Sequence, residues 1–215
     1  MERNTILLYS GGLDSTTALF EFSANIALAV SFDYGSKHAK QELAAAGYFC
    51  SQLGVPHRVI KMDLGSMGLA SDLLLSGGEI PHGTYDKSNM QCTVVPFRNG
   101  IMLSVCAGLA ETLGCQQILL ANHAGDHAIY PDCTPEFVTS MNEAIAAGTY
   151  IKTQLFAPYT HLTKREIALR GKPLGVPYEH TWSCYEGKGM HCGRCATCLE
   201  RKEALAGFDS TSYME

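Results

Sequence analysis

Apolar residues along this chain fall into short, nearly continuous runs separated by longer segments of helical composition. Thr5 to Leu8 and Asn25 to Phe32 are such runs, and His57 to Met62, Gln117 to Ala121 and Leu155 to Ala157 follow. Runs without polar alternation belong to strands buried on both faces, as in a parallel sheet covered by helices. Helices are expected from near Ser15 through Thr16 to Phe22, from about His38 to Leu53 before Gly54 and Pro56, and from Asn99 to Leu113. Pro135 to Ala147 reads as another, with Thr134 as N-cap and proline at the first helical position. Thr163-Lys164-Arg165-Glu166 is a capping box opening a helix through Leu169, stopped by Gly171 and Pro173. The rhythm predicts an α/β fold: an open, mainly parallel sheet with helices on both faces and a ligand site at the carboxyl ends of the strands. Residues 1–180 would form this domain, and 181–215 a small C-terminal segment packed on it.

Residues 63–95 break the rhythm, with a short helix expected only near Ser71 to Leu75. A loop of that length either borders a site or is a surface insertion. Past the strand at Gln117, residues 122–133 are rich in hydrogen-bonding side chains, at a strand end that should face the ligand crevice.

Chemistry first appears between the first strand and helix, in Tyr9-Ser10-Gly11-Gly12-Leu13-Asp14-Ser15. Two adjacent glycines remove Cβ atoms from the turn, so backbone N–H groups can close on a phosphate at a helix N-terminus. Ser10, Ser15 and Thr16 add hydroxyls, and Asp14 can orient the loop or hold Mg²⁺ on a polyphosphate. The spacing is neither a Walker A loop nor a dinucleotide fingerprint.

A formal net charge of −5 argues against binding nucleic acid by general phosphate attraction. No apolar run comes near the ~20 residues that span a bilayer. Met1-Glu2-Arg3-Asn4 leads into a strand without a signal-peptide pattern, so a cytoplasmic location is expected. Of nine cysteines, Cys50, Cys92, Cys106, Cys115 and Cys133 stand singly and read as small apolar side chains. Cys184-x₇-Cys192-x₂-Cys195-x₂-Cys198 offers four thiolates in fifteen residues. Four thiolates at about 2.3 Å close a tetrahedral shell around Zn²⁺ and leave no place for a catalytic water, so a structural zinc is expected. An iron–sulfur cluster takes the same ligands, and a redox pair would leave Cys184 unexplained. His191 is a neighbour or a substitute ligand.

Ser10-Gly11-Gly12-Leu13-Asp14-Ser15 resembles the S-G-G-x-D-S loop of the PP-loop ATP pyrophosphatases. With Phe32-Asp33-Tyr34-Gly35, Val94-Val95-Pro96, Arg98-Asn99, Tyr130-Pro131-Asp132-Cys133, Pro135-Glu136-Phe137, Thr181-Trp182-Ser183-Cys184-Tyr185 and the cysteine cluster, nearly the whole chain resembles the QueC family of queuosine-precursor biosynthesis. That resemblance implies an enzyme, a carbon–nitrogen ligase converting 7-carboxy-7-deazaguanine and ammonia to the nitrile at the expense of ATP with Mg²⁺. It implies small-molecule substrates, no stable nucleic acid or membrane partner, and a homodimer. Leu8, Tyr9, Ser10, Gly11, Gly12, Leu13, Asp14, Ser15 and Thr16 match the ATP loop, with Asp14, Arg98 and Lys164 expected in catalysis. Arg98, Asn99, Tyr130, Asp132 and Phe137 are expected against substrate, Asp132 accepting from a guanine-like N–H edge. Cys184, Cys192, Cys195 and Cys198 match the zinc ligands.

Two features depart from the family pattern. His123, Asp126 and His127 form a metal trio on paper where relatives usually carry other residues, and Phe97 stands where glycine is more usual. The competing readings are another PP-loop ligase using a different amine, a tRNA-modifying PP-loop enzyme for which Cys133 would supply the thiol, and a zinc-ribbon interaction module.

Overall fold

The computed structural model describes residues 3–83 and 90–214. Its centre is a five-stranded sheet in the order β3-β2-β1-β4-β5, formed by β1 (Thr5–Leu8), β2 (Ile26–Asp33), β3 (His57–Lys61), β4 (Gln117–Leu119) and β5 (Gln154–Phe156). Every neighbouring pair is parallel, with Leu8 opposite Val30 and Leu7 opposite Leu119. Being central, β1 has no solvent face, which explains a strand with no polar alternation.

Topology follows from the handedness of crossovers. The chain steps outward from β1 to β2 to β3 through α1 (Leu13–Phe22) and α2 (Ala39–Leu53), then returns past β1 to β4 through α3 (Arg98–Leu113). Right-handed connections running in opposite directions must lay their helices on opposite faces. Accordingly Leu13 and Leu19 of α1 and Phe49 of α2 pack with Leu7, Ala29 and Leu119 on one face. Leu103, Cys106 and Ala110 of α3, with Ile145 of α4 (Pro135–Gly148), pack with Ile6, Val30 and Ile118 on the other. α5 (Lys164–Gly171) and α6 (Ala196–Ala204) join the α1 face through Ile167, Ala168 and Ala204. Each fully buried Leu or Ile in these layers contributes roughly 1.5–3 kcal/mol.

Local signals behave as their chemistry predicts at both caps. Thr134 accepts from the Phe137 N–H at 3.2 Å, and Thr163 and Glu166 complete a reciprocal capping box. The helix expected near Ser71 to Leu75 does not form. That stretch is a series of turns in which Leu73 and Leu74 are buried and Leu74 bridges Ser36, so its apolar residues serve the core without a helical period. Contrary to the reading of apolar runs, residues 91–113 are long and apolar enough, by length and composition alone, to cross a membrane. Pro96 and a left-handed Phe97 interrupt the segment, and α3 itself packs Leu103 and Cys106 against the sheet.

The loop after β1 turns on Gly11, which has φ +80°. A Cβ there would lie 2.5 Å from the Glu42 carbonyl oxygen and 2.9 Å from the Ala46 nitrogen, so only glycine lets the loop lie against α2. Trp182 N–H donates to the Gly11 carbonyl at 3.0 Å, which ties the C-terminal segment to the same turn. Gly175, at φ +72° with no atom within 4 Å of its virtual Cβ, shares the backbone conformation without the crowding. Gly11→Ala is therefore expected to destabilise the protein by about 2–4 kcal/mol, and Gly175→Ala by only about 1 kcal/mol. Urea unfolding midpoints of the two variants check this; equal midpoints would show that the close approach to α2 costs nothing.

Candidate active site

The strand order reverses between β1 and β4, and the loops leaving their carboxyl ends diverge there to open a crevice of about 220 Å³. Leu8 to Ser10 and Gly12 to Ser15 form one wall, Ser31 to Tyr34 after β2 and the start of α2 a second, and Leu120 to His123 after β4 a third. Arg98 and Asn99 reach in from α3, Lys164 from α5, and Trp182, Ser183 and Tyr185 close the C-terminal side. Every expected loop residue except Gly11 and Thr16 lines this space.

At the loop itself, Ser10 and Ser15 hydroxyls lie 2.9 Å apart and the Gly12 N–H donates to Ser10 Oγ at 3.1 Å. The turn is thus held by its own hydroxyls at the N-terminus of α1. Thr16 points the other way: it is fully buried, and its hydroxyl pairs with the Tyr9 phenol at 3.1 Å.

Beside the loop, charges of both signs converge. Lys164 Nζ lies 2.6 Å from Glu200 Oε2 and 3.6 Å from Asp14 Oδ2. Burial opposes the Lys164 charge, but Asp14, Glu200 and Asp126 outweigh it and hold the ammonium well above its ordinary range. His123, 1% exposed, accepts the Gly125 N–H on Nδ1 at 3.0 Å, which in the neutral ring leaves its proton on Nε2. That Nε2 lies 3.5 Å from Asp126 and 3.9 Å from both Asp14 and Glu200, without a hydrogen bond, and Asp14 Oδ1 also lacks a partner among the described residues. His123 and Asp126 therefore meet, but His127 does not complete a shared set of three ligand atoms with them.

Across the crevice, Arg98 Nη1 donates to the Tyr34 hydroxyl at 3.1 Å, and Tyr130 and Tyr185 hydroxyls lie 3.1 Å apart. Burial works against the Arg98 charge, yet Tyr34, Tyr185, Tyr130 and Asp132 hold it well above the usual range, so it is a permanent cation. Phe97, at φ 53°, takes the left-handed position directly before α3, which explains why glycine is at home there; its ring meets Phe137 edge-on at 5.9 Å. Asp132 and Phe137 do not line the crevice. The Asp132 carboxylate accepts the Asn99 N–H at 2.7 Å and so caps the start of α3, while the Asn99 side chain donates to the Asp132 carbonyl at 3.0 Å. Cys133 does line it, but burial pushes its thiol far up and Asn99 donates to its sulfur at 3.2 Å, leaving an inert thiol.

The four C-terminal cysteines are buried, and their sulfurs all lie within 4.8 Å of one another. Backbone N–H groups of Cys192 and Cys195 donate to the sulfurs of Cys184 and Cys192 at 3.4 and 3.2 Å, the kind of support that metal-binding thiolates receive. This cluster can bind a metal ion. His191 stays outside it, stacked on Trp182 at 4.4 Å and accepting the Ser183 N–H on Nε2 at 3.2 Å. Beneath lies Arg201, fully buried, donating to Thr181 at 2.8 Å, Ser183 at 3.0 Å, Thr211 at 2.8 Å and the Tyr178 carbonyl.

Sequence reasoning alone missed Glu200, His38 and Glu42. Glu200 follows the last cysteine by two residues and looks like a solvated helix charge until α6 is seen packed on α5. His38 and Glu42 carried a signal: spaced i, i+4 on the first turn of α2, they put two titratable groups on the face that the apolar residues Ala45, Ala46 and Phe49 bury.

A family model described as "Queuosine biosynthesis protein QueC" matches residues 4–209. A 7-cyano-7-deazaguanine synthase from Porphyromonas gingivalis is 54% identical over 215 residues, covering 99% of this chain and 98% of that one. Proteins of the same description from Desulfotalea psychrophila and Paracoccus denitrificans are 44% and 45% identical, covering 98% and 97% of this chain and 99% and 92% of their own. The structure of NMN synthetase from Francisella tularensis is a distant likeness, with a TM-score of 0.48 at 14% identity over 87% of this chain and 69% of that one.

One electrostatic consequence is measurable without substrate. Burial, reinforced by Arg98, lowers His38 to about 4, and burial, opposed by Arg98, raises Glu42 to about 8, so the two are neutral neighbours 3.7 Å apart rather than an ion pair. Between its unfolded value near 4.5 and about 8 the folded protein binds the Glu42 proton and the unfolded chain does not, so stability falls as pH rises through that window. His38 acts oppositely, because the unfolded chain protonates first; its stabilising slope is complete once pH passes its ordinary 6.5. Between pH 6.5 and 8 the Glu42 slope stands alone of the two. The thermal midpoint is expected to fall across that interval in the unmodified protein and to be flatter in Glu42→Gln; parallel falls would mean that Glu42 titrates normally.

Proposed function

The chain belongs to the QueC family of queuosine biosynthesis proteins, and on that footing we propose that its crevice converts 7-carboxy-7-deazaguanine and ammonia, with ATP, to 7-cyano-7-deazaguanine. The observation that carries this reading is the convergence on one crevice of a preformed anion loop, a permanently charged Lys164 and a permanently charged Arg98. A carboxylate is a poor electrophile and an amide oxygen a poor leaving group, and adenylation overcomes both difficulties. The substrate carboxylate oxygen attacks the α-phosphorus of ATP and pyrophosphate leaves. Ammonia then adds at the acyl carbon, AMP departs with the C–O electron pair, and a proton is lost to give the amide. A second ATP then transfers a phosphoryl or adenylyl group to the amide oxygen, and the nitrile forms as that oxygen departs on the transferred group with the C–O electron pair and both N–H protons are lost.

In this proposal Ser10, Gly12, Ser15 and the first N–H groups of α1 receive the pyrophosphate, and Lys164 offsets charge on the transferring phosphoryl group. Arg98 pairs with the substrate carboxylate, through a fork that suits two oxygens. Asp132 and Asn99 act one step back, fixing the start of α3 and with it the direction of Arg98. Mg²⁺ arriving with ATP fits here, because Asp14 has a buried oxygen without a partner and Asp14, Asp126 and Glu200 together exceed the charge of Lys164. The ion would supply charge stabilisation on phosphoryl oxygens. Zinc fits the four buried sulfurs, as a closed shell that holds residues 184–198 in place. The proposal includes small-molecule partners only, a cytoplasmic location and a homodimer. Sulfur transfer through Cys133 is disfavoured by the burial that keeps its thiol protonated.

ATP consumption is expected only when 7-carboxy-7-deazaguanine is present, and nitrile only when ammonia is added. Mass spectrometry of that mixture checks both, and neither amide nor nitrile formed would sink the assignment. Elemental analysis is expected to give one zinc per chain. Cys195→Ser is expected to lose both the metal and several degrees of melting temperature; a metal-free protein of unchanged stability would refute the zinc role.

A further inference from the structure

Glu42 is the one carboxyl on the α2 wall of the crevice, and the reaction steps above give it no task. Its side chain is 21% exposed, and His38 Nε2 lies 3.7 Å from its Oε2, beyond hydrogen-bond reach. Among the described residues no hydrogen-bond donor meets this carboxyl. Its backbone cannot drift away, because the Glu42 carbonyl lies where a Cβ on Gly11 would be, 2.5 Å off, so helix and phosphate loop are locked together. His38 beside it is 2% exposed and likewise has a buried ring nitrogen, Nδ1, without a partner. Tyr34 and Tyr185 flank this corner, with the Tyr185 ring 5.4 Å from His38 and the Tyr34 ring under the Arg98 guanidinium at 5.6 Å. The corner therefore combines flat aromatic walls and an acceptor with empty coordination, and the Arg98 cation lies beyond the Tyr34 hydroxyl that bonds both it and His38.

We propose that Glu42 reads the 2-amino-pyrimidinone edge of the deazapurine, accepting its ring N–H and exocyclic amino N–H as a pair while Arg98 holds the carboxylate at the other end. The inference rests on the functional reading above and names the group that selects its substrate. Two parallel N–H donors match the two oxygens of a carboxylate, whereas the adenine edge of ATP offers one donor and one acceptor and mismatches it. Burial keeps the empty carboxyl protonated near neutrality, raising it to about 8, so taking up the two N–H donors releases that proton to solvent and leaves the ionised form, whose two acceptor oxygens match the pair. This assigns to Glu42 the part that the sequence pattern gave to Asp132, whose carboxylate is already occupied by the Asn99 N–H.

The test compares 7-carboxy-7-deazaguanine with its analogue lacking the 2-amino group, in the unmodified protein and in Glu42→Gln and Glu42→Asp. The unmodified protein is expected to favour the guanine-type compound by about 10- to 100-fold in kcat/KM, the range of one good bidentate pair. Glu42→Gln should shrink that preference to within about threefold through a raised KM for the deazapurine, with the KM for ATP within about twofold of the original. Glu42→Asp, which keeps a carboxylate, should retain most of the preference. Full discrimination in Glu42→Gln, or an effect on the ATP KM in place of the deazapurine KM, would overturn the assignment while leaving the functional reading intact. Turnover of neither compound by the unmodified protein would overturn both.

Discussion

The close approach at Gly11 is the constraint on which the rest depends. Its left-handed backbone brings the phosphate loop against the α2 main chain, and its carbonyl is held by Trp182. Three parts distant in sequence are thereby set against one another: the anion loop, the helix carrying His38 and Glu42, and the cysteine-bearing segment. A side chain at this position would separate all three at once, so the permissiveness of this one glycine serves the architecture around the crevice.

Charge is the second organising element, and it is distributed unevenly. The Lys164 side carries three carboxylates against one ammonium, while the Arg98 side carries one guanidinium among hydroxyls and a neutral Glu42. The proposed reaction would use this asymmetry, with metal-bound phosphates on the acidic side and a substrate carboxylate on the Arg98 side. The two permanent cations consequently sit in different surroundings, and the crevice has an electrostatic direction of its own.

Much of the fold was legible in the sequence because its signals are local. Strand runs, the Thr134 cap, the Thr163 capping box and the glycine loop each fix their own few residues, and all five strands fall where the apolar runs lie. The Ser71 to Leu75 turns were not legible, since their leucines are buried by contacts with Ser36 and the sheet rather than by a helical face. The site divides in the same way. The glycine loop and the four cysteines carry recognisable spacing, and Lys164 and Arg98, expected from the resemblance, line the crevice, but Asp132 does not line it and its carboxylate accepts at the start of α3. Its neighbour Asn99 supplies the N–H that takes it out of the crevice, and no pattern in one strand of sequence records that pairing.

The cysteine cluster reaches the crevice by two short mechanical links. Cys198 lies two residues before Glu200 on α6, and Glu200 sets the position of the Lys164 ammonium at 2.6 Å. Cys184 lies two residues after Trp182, whose indole N–H donates to the Cys184 carbonyl at 2.8 Å while its backbone N–H holds Gly11. The Glu200–Lys164 pair and the Gly11 turn are therefore both referenced to the same four sulfurs. A shift of the cluster is passed to the glycine loop and to Lys164 together, because each is fastened to it through one residue of intervening chain.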